Sequence, residues 1–346
     1  MNKSIKASDV KKSLAACATT VLFLAASLQA NSQTTNLWNS SNGSWGNTAN
    51  WSLVVVADGI DNWAQTANPG GGRTITLDGD RLIGNLDIVV NNNRSYTINA
   101  GTPSTSTLTL DVSSGTPVVQ VRAGSTAGVL NMNVPVLGSD GLEKRGVGLL
   151  NLAAVNLYTG ATIMTAGNLA VNGSLAVGSA VQVNGGTFGG AGTINGSITL
   201  NSGGTINPGN IIQVGTAPAP QIGVLTAASL TWNGGGTLAF QLGTSPATSD
   251  LLNLSGVLTK GTAGVFNFAF STNSAGFSLG TFTLITFPSS SGFSESDFTF
   301  SGPPEVNGVF ALNPTSLEFT AIPEPTSAML AVIGMALMWQ LHRRKS

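Results

Sequence analysis

Short runs that alternate apolar and small polar residues, broken by Gly or Asn-Gly, fill the chain between 147 and 210. Examples are GLLNL (148–152), VQVNGGTF (181–188) and GTINGSITL (192–200). Alternation with β-branched residues predicts strands, and Gly or Asn-Gly predicts tight turns between them. No run has the period of about 3.6 residues that marks an amphipathic helix. The pattern therefore predicts an all-β protein.

One strand start recurs along this region. Gly167-Asn168-Leu169, Gly186-Thr187-Phe188 and Gly204-Thr205-Ile206 follow each other at nearly equal intervals. A period of about 20 residues is typical of a solenoid, in which each coil buries its apolar face by stacking on its neighbours. A three-sided coil of short strands uses about that many residues. We predict a right-handed parallel β-helix, and the alternative is a β-sandwich in which the glycine spacing is a coincidence.

The regions on either side are expected to close the ends of the stack. We place a Trp-rich β region that includes the first coils at 31–141, the solenoid repeat at 142–224 and a C-terminal β region at 225–320. Longer runs such as TLAFQL and VFNFAF predict a small β-sheet cap in the last of these. Exposed strand edges promote aggregation, so both ends of a solenoid need caps.

Charge is scarce and unevenly placed. Charged residues make up 8% of the 346 residues, against a typical share of about 25%. No Asp, Glu, Lys, Arg or His occurs from 146 to 249, and much of the basic charge lies at the two ends of the chain. The remaining body is mildly acidic. Nothing in it would attract a phosphate backbone, so nucleic acid is not an expected partner.

The first 30 residues have the three parts of a secretory signal. An apolar stretch at 14–28 separates a small or polar segment from a basic start that contains Lys3, Lys6, Lys11 and Lys12. We predict a signal peptide over 1–30, cleaved after Ala30, with cleavage after Ser27 as the alternative. A retained membrane helix is the other interpretation of this segment.

Cys17 is the only cysteine. LAAC at 14–17 is similar to a bacterial lipidation box, but such a box needs its apolar region before the cysteine, and 1–13 is polar and charged. Export that removes Cys17 leaves a mature chain without a thiol, and hence without a disulfide, a thiolate metal site or a Cys nucleophile.

The stretch 142–175 resembles the autotransporter-associated β-strand repeat. That repeat has a Gly-x-Gly-x-Leu-x-Leu run, followed by Asn-x-Tyr-Thr-Gly-x-Thr-x-Ile and Gly-x-Leu-x-Val. Ala154 stands where a Gly is usual. The resemblance implies a β-helical passenger stalk, with one clear copy here. The matching positions are Gly146, Gly148, Leu150, Leu152, Asn156, Tyr158, Thr159, Gly160, Thr162, Ile163, Gly167, Leu169 and Val171.

The segment 321–346 is similar to the PEP-CTERM sorting signal. Its parts stand in order: Pro323-Glu324-Pro325, an apolar segment at 326–341, and the basic residues Arg343, Arg344 and Lys345. The apolar part is shorter than the about 20 residues of a comfortable membrane helix. The resemblance implies a transient transmembrane sorting helix that an exosortase recognises and removes near Pro-Glu-Pro. A retained C-terminal anchor is the alternative.

Four tryptophans are candidates for binding sugars. Asn and Gly flank several of them, as in WNSSNGSWGNTANW (38–51). Exposed Trp faces stack on sugar rings, whereas buried ones would plug the end of the core. Both interpretations stay open for Trp38, Trp45, Trp51 and Trp63.

Catalytic residues are few. Parallel β-helices often carry polysaccharide lyases and hydrolases, which need clustered carboxylates or basic side chains. The single histidine, His342, lies in the sorting tail, so we expect no catalytic triad or His metal site. LDGDRL lacks the full calcium-loop pattern, and turn-capping is the plainer role. The remaining candidates are Asp58, Asp61, Asp78, Asp80 and Asp87, with Arg73 and Arg81 nearby.

Together these features predict an exported, non-enzymatic β-solenoid with N- and C-terminal β caps. We expect a structural or adhesive role at the cell surface or in the polysaccharide matrix of a Gram-negative bacterium. The expected partners are the general secretion machinery, an exosortase and exopolysaccharide, without a cofactor or a metal. The alternatives are a carbohydrate-binding module that uses the tryptophans and a polysaccharide-degrading enzyme that uses the 58–87 region.

Overall fold

The computed structural model describes residues 33–67, 71–90, 94–123, 128–209, 222–272 and 276–323. All of these except Gln33 and Thr34 belong to one compact unit, Thr35–Ser346, and those two belong to a second unit, Met1–Thr34. The predicted signal peptide with Ala30, and the chain from 324 onward, lie outside the described residues.

The described residues form strands and short 3₁₀ turns, with no α-helix among them. The first strands are β1 (Thr35–Trp38), β2 (Gly43–Ser44), β3 (Gly59–Thr66), β4 (Arg73–Leu77), β5 (Arg81–Val89), β6 (Ser95–Ala100), β7 (Leu108–Leu110), β8 (Val118–Arg122), β9 (Val129–Met132) and β10 (Val136–Leu137). The middle strands are β11 (Leu142–Arg145), β12 (Leu149–Leu152), β13 (Thr162–Met164), β14 (Asn168–Val171), β15 (Ser174–Leu175), β16 (Val181–Val183), β17 (Gly186–Gly190), β18 (Thr193–Leu200) and β19 (Gly204–Pro208). The last strands are β20 (Val224–Trp232), β21 (Thr237–Leu242), β22 (Leu251–Leu254), β23 (Leu258–Lys260), β24 (Phe266–Thr272), β25 (Gly280–Thr286), β26 (Ser290–Ser291), β27 (Phe298–Ser301), β28 (Gly308–Leu312) and β29 (Ser316–Ala321).

These strands form two sheets, which we call sheet A, with 18 strands, and sheet B, with 11. Each coil contributes one strand to sheet B and two strand positions to sheet A. In the long strand β18, one half pairs with β15 and the other with β16. In β20 the two halves pair likewise with β22 and β23. The coil is therefore three-sided, and the prediction of an all-β solenoid with parallel sheets is confirmed.

The glycine register seen in the sequence marks one corner of this coil. Asn168 of β14 pairs with Thr187 of β17, and Gly186 pairs with Gly204 of β19. Gly186 has a φ of 72°, and a Cβ built on it would lie 2.3 Å from the carbonyl oxygen of Gly167. Only glycine accepts this left-handed conformation and close approach without strain, so the corner repeats as glycine from coil to coil.

Alternation along each strand of sheet B places one apolar file in the core. Each residue of the file pairs in register with the same position of the next coil, so neighbouring coils bury each other's apolar side chains. Parallel in-register stacking of this kind explains why a single coil has no core of its own. The file runs through Tyr96, Leu130, Leu150, Leu169, Phe188, Ile206, Leu238, Phe268 and Phe300.

Polar side chains form matching ladders on the outside. Nδ2 of Asn151 donates to Oδ1 of Asn131 at 3.0 Å, and Nδ2 of Asn172 donates to Oδ1 of Asn151 at 2.9 Å. A second ladder joins Asn233, Asn201 and Asn184 by the same kind of bond. Amide ladders supply outward hydrogen bonding without charge. Accordingly, Arg73 is the one formally charged residue within the eleven described strands of sheet B.

The solenoid extends further than the 142–224 segment. Parallel pairing begins with β1 on β3 and continues to β27 on β24, so most of the predicted caps consist of coils. The C-terminal closure is the hairpin of β28 and β29, in which β29 pairs antiparallel with both β28 and β25. Among the described residues no helix has the length and apolar character needed to cross a membrane.

Candidate functional site

The tryptophans of the N-terminal region form an internal cluster. The rings of Trp38 and Trp45 each meet the ring of Trp51 edge-on, with centroids 5.1 Å apart in both pairs. Nε1 of Trp45 donates to the carbonyl of Ala57 at 2.8 Å, and Nε1 of Trp51 donates to the carbonyl of Trp45 at 2.7 Å. The three side chains are 2% exposed or less. They carry the hydrophobic core to the first strand of the stack.

The burial of Trp38, Trp45 and Trp51 therefore favours the core-plug interpretation over a sugar-stacking surface. A ring face must be open to solvent to receive a sugar, and these faces pack on each other. Trp63, opposite Thr35 in the pairing of β1 with β3, is half-buried. One partly covered ring does not form a platform, and the alternative of a core plug accounts for the cluster.

The candidate catalytic aspartates hold turns and adjoining coils together. Oδ1 of Asp58 accepts hydrogen bonds from the backbone N–H groups of Gly59 and Leu82, at 3.0 and 3.1 Å. Oδ1 of Asp80 accepts from both the N–H and the hydroxyl of Thr107, each at 2.9 Å. Carboxylates that accept hydrogen bonds in this way cap turns. The geometry therefore fits the turn-capping interpretation of these aspartates rather than the catalytic one.

Two further candidates form ion pairs. Asp87 is buried and accepts from Nε of Arg122 and from Nε2 of Gln65, each at 2.7 Å. Asp78 accepts from the N–H of Gly46 at 3.1 Å and contacts Ser44 and Arg81. Burial opposes ionisation of Asp78, but the hydrogen bonds from Ser44 and Arg81 lower its pKa overall. The lowered pKa of Asp78 is the opposite of what a general acid requires.

Arg73 and Asp61 have other neighbours. Arg73 begins β4 opposite Tyr96. Oδ1 of Asp61 accepts from the N–H of Ser113 at 2.8 Å. Within the described ranges, no three His, Cys, Asp or Glu side chains are arranged to hold a metal ion. The predicted residues thus lie in one region but do not converge on a shared site.

Asp61 instead lies near two aspartates that the sequence did not single out. Asp111 follows β7 and Asp140 follows β10, and Oδ2 of Asp140 accepts from the N–H of Val112 at 3.2 Å. Burial, the neighbouring charge of Asp140 and that of Asp61 raise the pKa of Asp111. The nearby negative charges therefore favour the protonated form of Asp111.

Lys144 is the most unusual ionisable residue in the described chain. Its side chain is fully buried, and Nζ donates to the carbonyls of Arg145, Gly146 and Ala166 at 2.9, 2.7 and 3.2 Å. Burial lowers its pKa to about 7. The sequence did contain a signal, because alternation in β11 gives Lys144 the same inward orientation as Leu142.

Asp250 is the corresponding buried acid. Its Oδ1 accepts from the N–H of Gly223 at 2.9 Å, and its Oδ2 accepts from the N–H of Gln241 at 2.7 Å. Burial raises its pKa to about 7, although both hydrogen bonds act in the opposite direction. Asp250 joins the start of β22 to the entry of β20 and to β21. Its geometry is that of a structural clamp.

The residues that resemble the autotransporter-associated repeat occupy structural positions. The hydroxyls of Tyr158 and Thr162 lie 2.7 Å apart, and that of Thr162 lies 2.9 Å from the hydroxyl of Ser179 in the next coil. Burial raises the pKa of Tyr158 to about 12. Nδ2 of Asn156 donates to the carbonyls of Ala154 and Ser174. These residues hold one coil on the next.

Of the predicted sorting motif, the structure describes Pro323 alone. It follows the last strand, β29, closely, and the preceding Ile322 donates its N–H to the carbonyl of Asn307 at 2.8 Å. Glu324, Pro325, Arg343, Arg344 and Lys345 lie outside the described residues. The described part of the chain therefore reaches to the edge of the predicted processing site.

Comparison with models of known protein families gives no match for this chain, and comparison with curated proteins gives no relative.

Proposed function

We propose that this protein is an exported, non-enzymatic, right-handed β-helix with a structural or adhesive role. Its place is the cell envelope or the extracellular polysaccharide matrix of a Gram-negative bacterium. The signal peptide delivers it to the general secretion machinery. An exosortase then processes its C-terminal sorting tail, whose apolar segment 326–341 holds the chain transiently in the cytoplasmic membrane.

The observation that carries the proposal is the unbroken parallel stack from β1 to β27. Each coil contacts its neighbours, so the stack is a stiff rod that offers a long surface. Outward Asn and Thr side chains make that surface polar, while the eleven described strands of sheet B hold a single formal charge. A face of hydrogen-bonding groups with so little charge is suited to hydrated, sugar-rich surroundings.

Two observations support a non-enzymatic role over the alternatives. The aspartates of the 58–87 region use their oxygens to fasten turns and coils, as with Asp58 and Asp80. The buried rings of Trp38, Trp45 and Trp51 remove most of the proposed platform of a carbohydrate-binding module. These observations give no support to a polysaccharide-degrading enzyme or to a carbohydrate-binding module.

Intact-mass measurement of the protein recovered from its native host tests the proposal. We expect a mass that lacks residues 1–30 and the segment after Pro-Glu-Pro, in material from the cell surface or matrix. Changing Pro323, Glu324 and Pro325 to Ala should keep the tail on and the protein in the membrane fraction.

The chain offers a matched control for that variant. Pro304 and Glu305 form a similar Pro-Glu pair in an exposed turn, and changing both to Ala should leave processing intact. A native mass that includes the tail, in protein held permanently in the cytoplasmic membrane, would contradict the proposal. Sugar release from acidic polysaccharides above a heat-killed control would contradict the non-enzymatic role.

A further inference from the structure

Three exposed apolar side chains lie near the last described residues of the chain. Leu279, Val309 and Ile322 are 53%, 57% and 39% exposed. They lie on the hairpin closure formed by β25, β29 and β28, and we call them the exit patch. Isolated exposed apolar residues need no explanation, but a group at one place often marks a contact surface.

Strand pairing puts these side chains on the same side. Ala321 pairs with both Gly280 and Gly308 and faces the core. Residues on either side of this row therefore face outward, because side chains alternate along a strand. Leu279 and Ile322 follow on one side of this row, and Val309 lies on the other side, beside Thr320. The outward hydroxyls of Thr320 and Thr281 lie 3.0 Å apart.

The chain leaves the hairpin in the middle of this patch. After Ile322, the Pro-Glu-Pro linker at 323–325 spans at most about 11 Å when fully extended. The apolar segment 326–341 follows at once. A chain whose tail is inserted in a bilayer therefore keeps the exit patch within about one linker length of the lipid headgroups.

From this we infer that the exit patch rests on the lipid bilayer while the tail is in place. The inference rests on the proposed function, since it requires that 326–341 enters the membrane. The short tether gives the patch a high effective concentration at the lipid surface, so even weak apolar contacts are populated. The charged residues of the turn before β28 and of β29, Glu305 and Glu318, are acidic. The contact is therefore apolar and needs no anionic lipid.

Site-specific labelling of the tail-bearing protein tests the inference. In a Cys17→Ser chain exported with its tail intact, Val309→Cys or Ile322→Cys carries a polarity-sensitive fluorophore. The protein is placed, one copy per disc, in phosphatidylcholine nanodiscs. We expect emission at shorter wavelength than in the tail-free protein, and quenching by spin-labelled lipid.

Val177→Cys is the matched control. Val177 is 79% exposed, more than any residue of the exit patch, but it lies in the turn between β15 and β16. Four strand pairings separate β16 from β25, or about 19 Å. A label there should remain in water and should not be quenched.

A label in the tail separates the two levels of the inference. When lipid quenches the label of Ala336→Cys but the labels at 309 and 322 behave like that at 177, the contact of the exit patch with lipid is overturned and the proposed function stands. When Ala336→Cys is not quenched either, both are overturned. A second preparation holds two copies per disc. Patch labels that are blue-shifted only there, and that lipid does not quench, would assign the patch to a second copy of the chain and would overturn the lipid contact.

Discussion

Nζ of Lys144 donates a hydrogen bond to the carbonyl oxygen of Ala166 in the next coil, at 3.2 Å. Two further carbonyls, those of Arg145 and Gly146, accept from the same nitrogen. The group has no carboxylate partner in the described part of the chain. It thus joins two coils through backbone acceptors, in a place where burial makes its charge costly.

Lys144 should make stability rise with alkalinity. Burial lowers its folded-state pKa to about 7 from 10.5. Between these values the unfolded chain holds a proton that the folded chain has released, so the free energy of unfolding increases with pH. The slope is at most about 1.4 kcal/mol per pH unit. Denaturant unfolding of the wild type and of Lys144→Met is measured from about pH 6 to about pH 10. The free energy of unfolding of the wild type should increase with pH relative to that of the variant. Parallel curves would refute the prediction.

Asp250 should make the free energy of unfolding decrease as the pH rises, in a lower pH range than that of Lys144. Burial raises its folded-state pKa to about 7 from 3.8. Its stabilising contribution is complete below the unfolded pKa and is lost as the pH rises through the folded one. The free energy of unfolding of the wild type should therefore fall across this window, relative to Asp250→Asn, by at most about 1.4 kcal/mol per pH unit.

Asp297→Asn is the control for that measurement. A hydrogen bond from Lys260 is the main cause that lowers the pKa of Asp297, so its contribution is lost only as the pH falls below the usual carboxylate range. Between the unfolded and folded pKa values of Asp250, the free energy of unfolding of Asp297→Asn should therefore change with pH as that of the wild type does. An equal change of slope in both variants would contradict the assignment to Asp250.

Gly186→Ala should destabilise the stack through two separable effects. The left-handed backbone costs a residue with a side chain about 1–2 kcal/mol, and the new Cβ would also approach Gly167 at 2.3 Å. Gly115 has a φ of 87° with open space around it, and Gly71 has open space without a positive φ. Unfolding free energies should rank Gly186→Ala below Gly115→Ala, and that below Gly71→Ala. Equal losses at 186 and 115 would exclude the contact between coils.

Phe188→Ala should open the middle of the stack. Phe188 is fully buried between Leu169 and Ile206 of the adjoining coils, and its removal should cost about 3–5 kcal/mol. Since each coil is held by its neighbours, amide exchange should quicken in β14 and β19 as well as in β17. The outward Thr187→Ala should change stability by about 0.5 kcal/mol or less. A loss of protection confined to β17 would contradict cooperative stacking.

The strand class and the stacking of the central coils could be predicted because their signal is local. Gly167, Gly186 and Gly204 repeat where the coil turns its corner, and the structure pairs Gly186 with Gly204. Alternation in the same stretch indicated which residues face inward. A repeated corner and a repeated face are enough to define a coil without knowledge of distant contacts.

The ends were harder to predict because their coils vary. The runs TLAFQL and VFNFAF suggested a separate cap, yet β21 and β24 pair in parallel as further coils. The core of these coils is filled by Phe240, Phe266 and Phe268 together with Trp232, whose rings contact one another. Large aromatic side chains replace the Leu and Ile of the central coils, so the repeat is hidden in the sequence although the geometry continues.

Candidate site residues were the least predictable. Whether Trp38 is a sugar platform or a core residue depends on its pairing with Trp51, which no local pattern records. The environment of Asp250 likewise depends on Gly223 and Gln241 from two other strands. Burial of a polar or aromatic side chain is a property of the assembled stack.

The near-absence of formal charge from sheet B has a consequence for tolerance to salt. Screening by dissolved ions weakens attractions between exposed charges, but the coils of this sheet are joined by backbone bonds, apolar files and amide ladders. Arg73 is the single charged side chain in its eleven described strands. The cohesion of this face should therefore be the same at high and at low salt concentration. This face of the rod should keep its cohesion in surroundings where the concentration of dissolved ions changes.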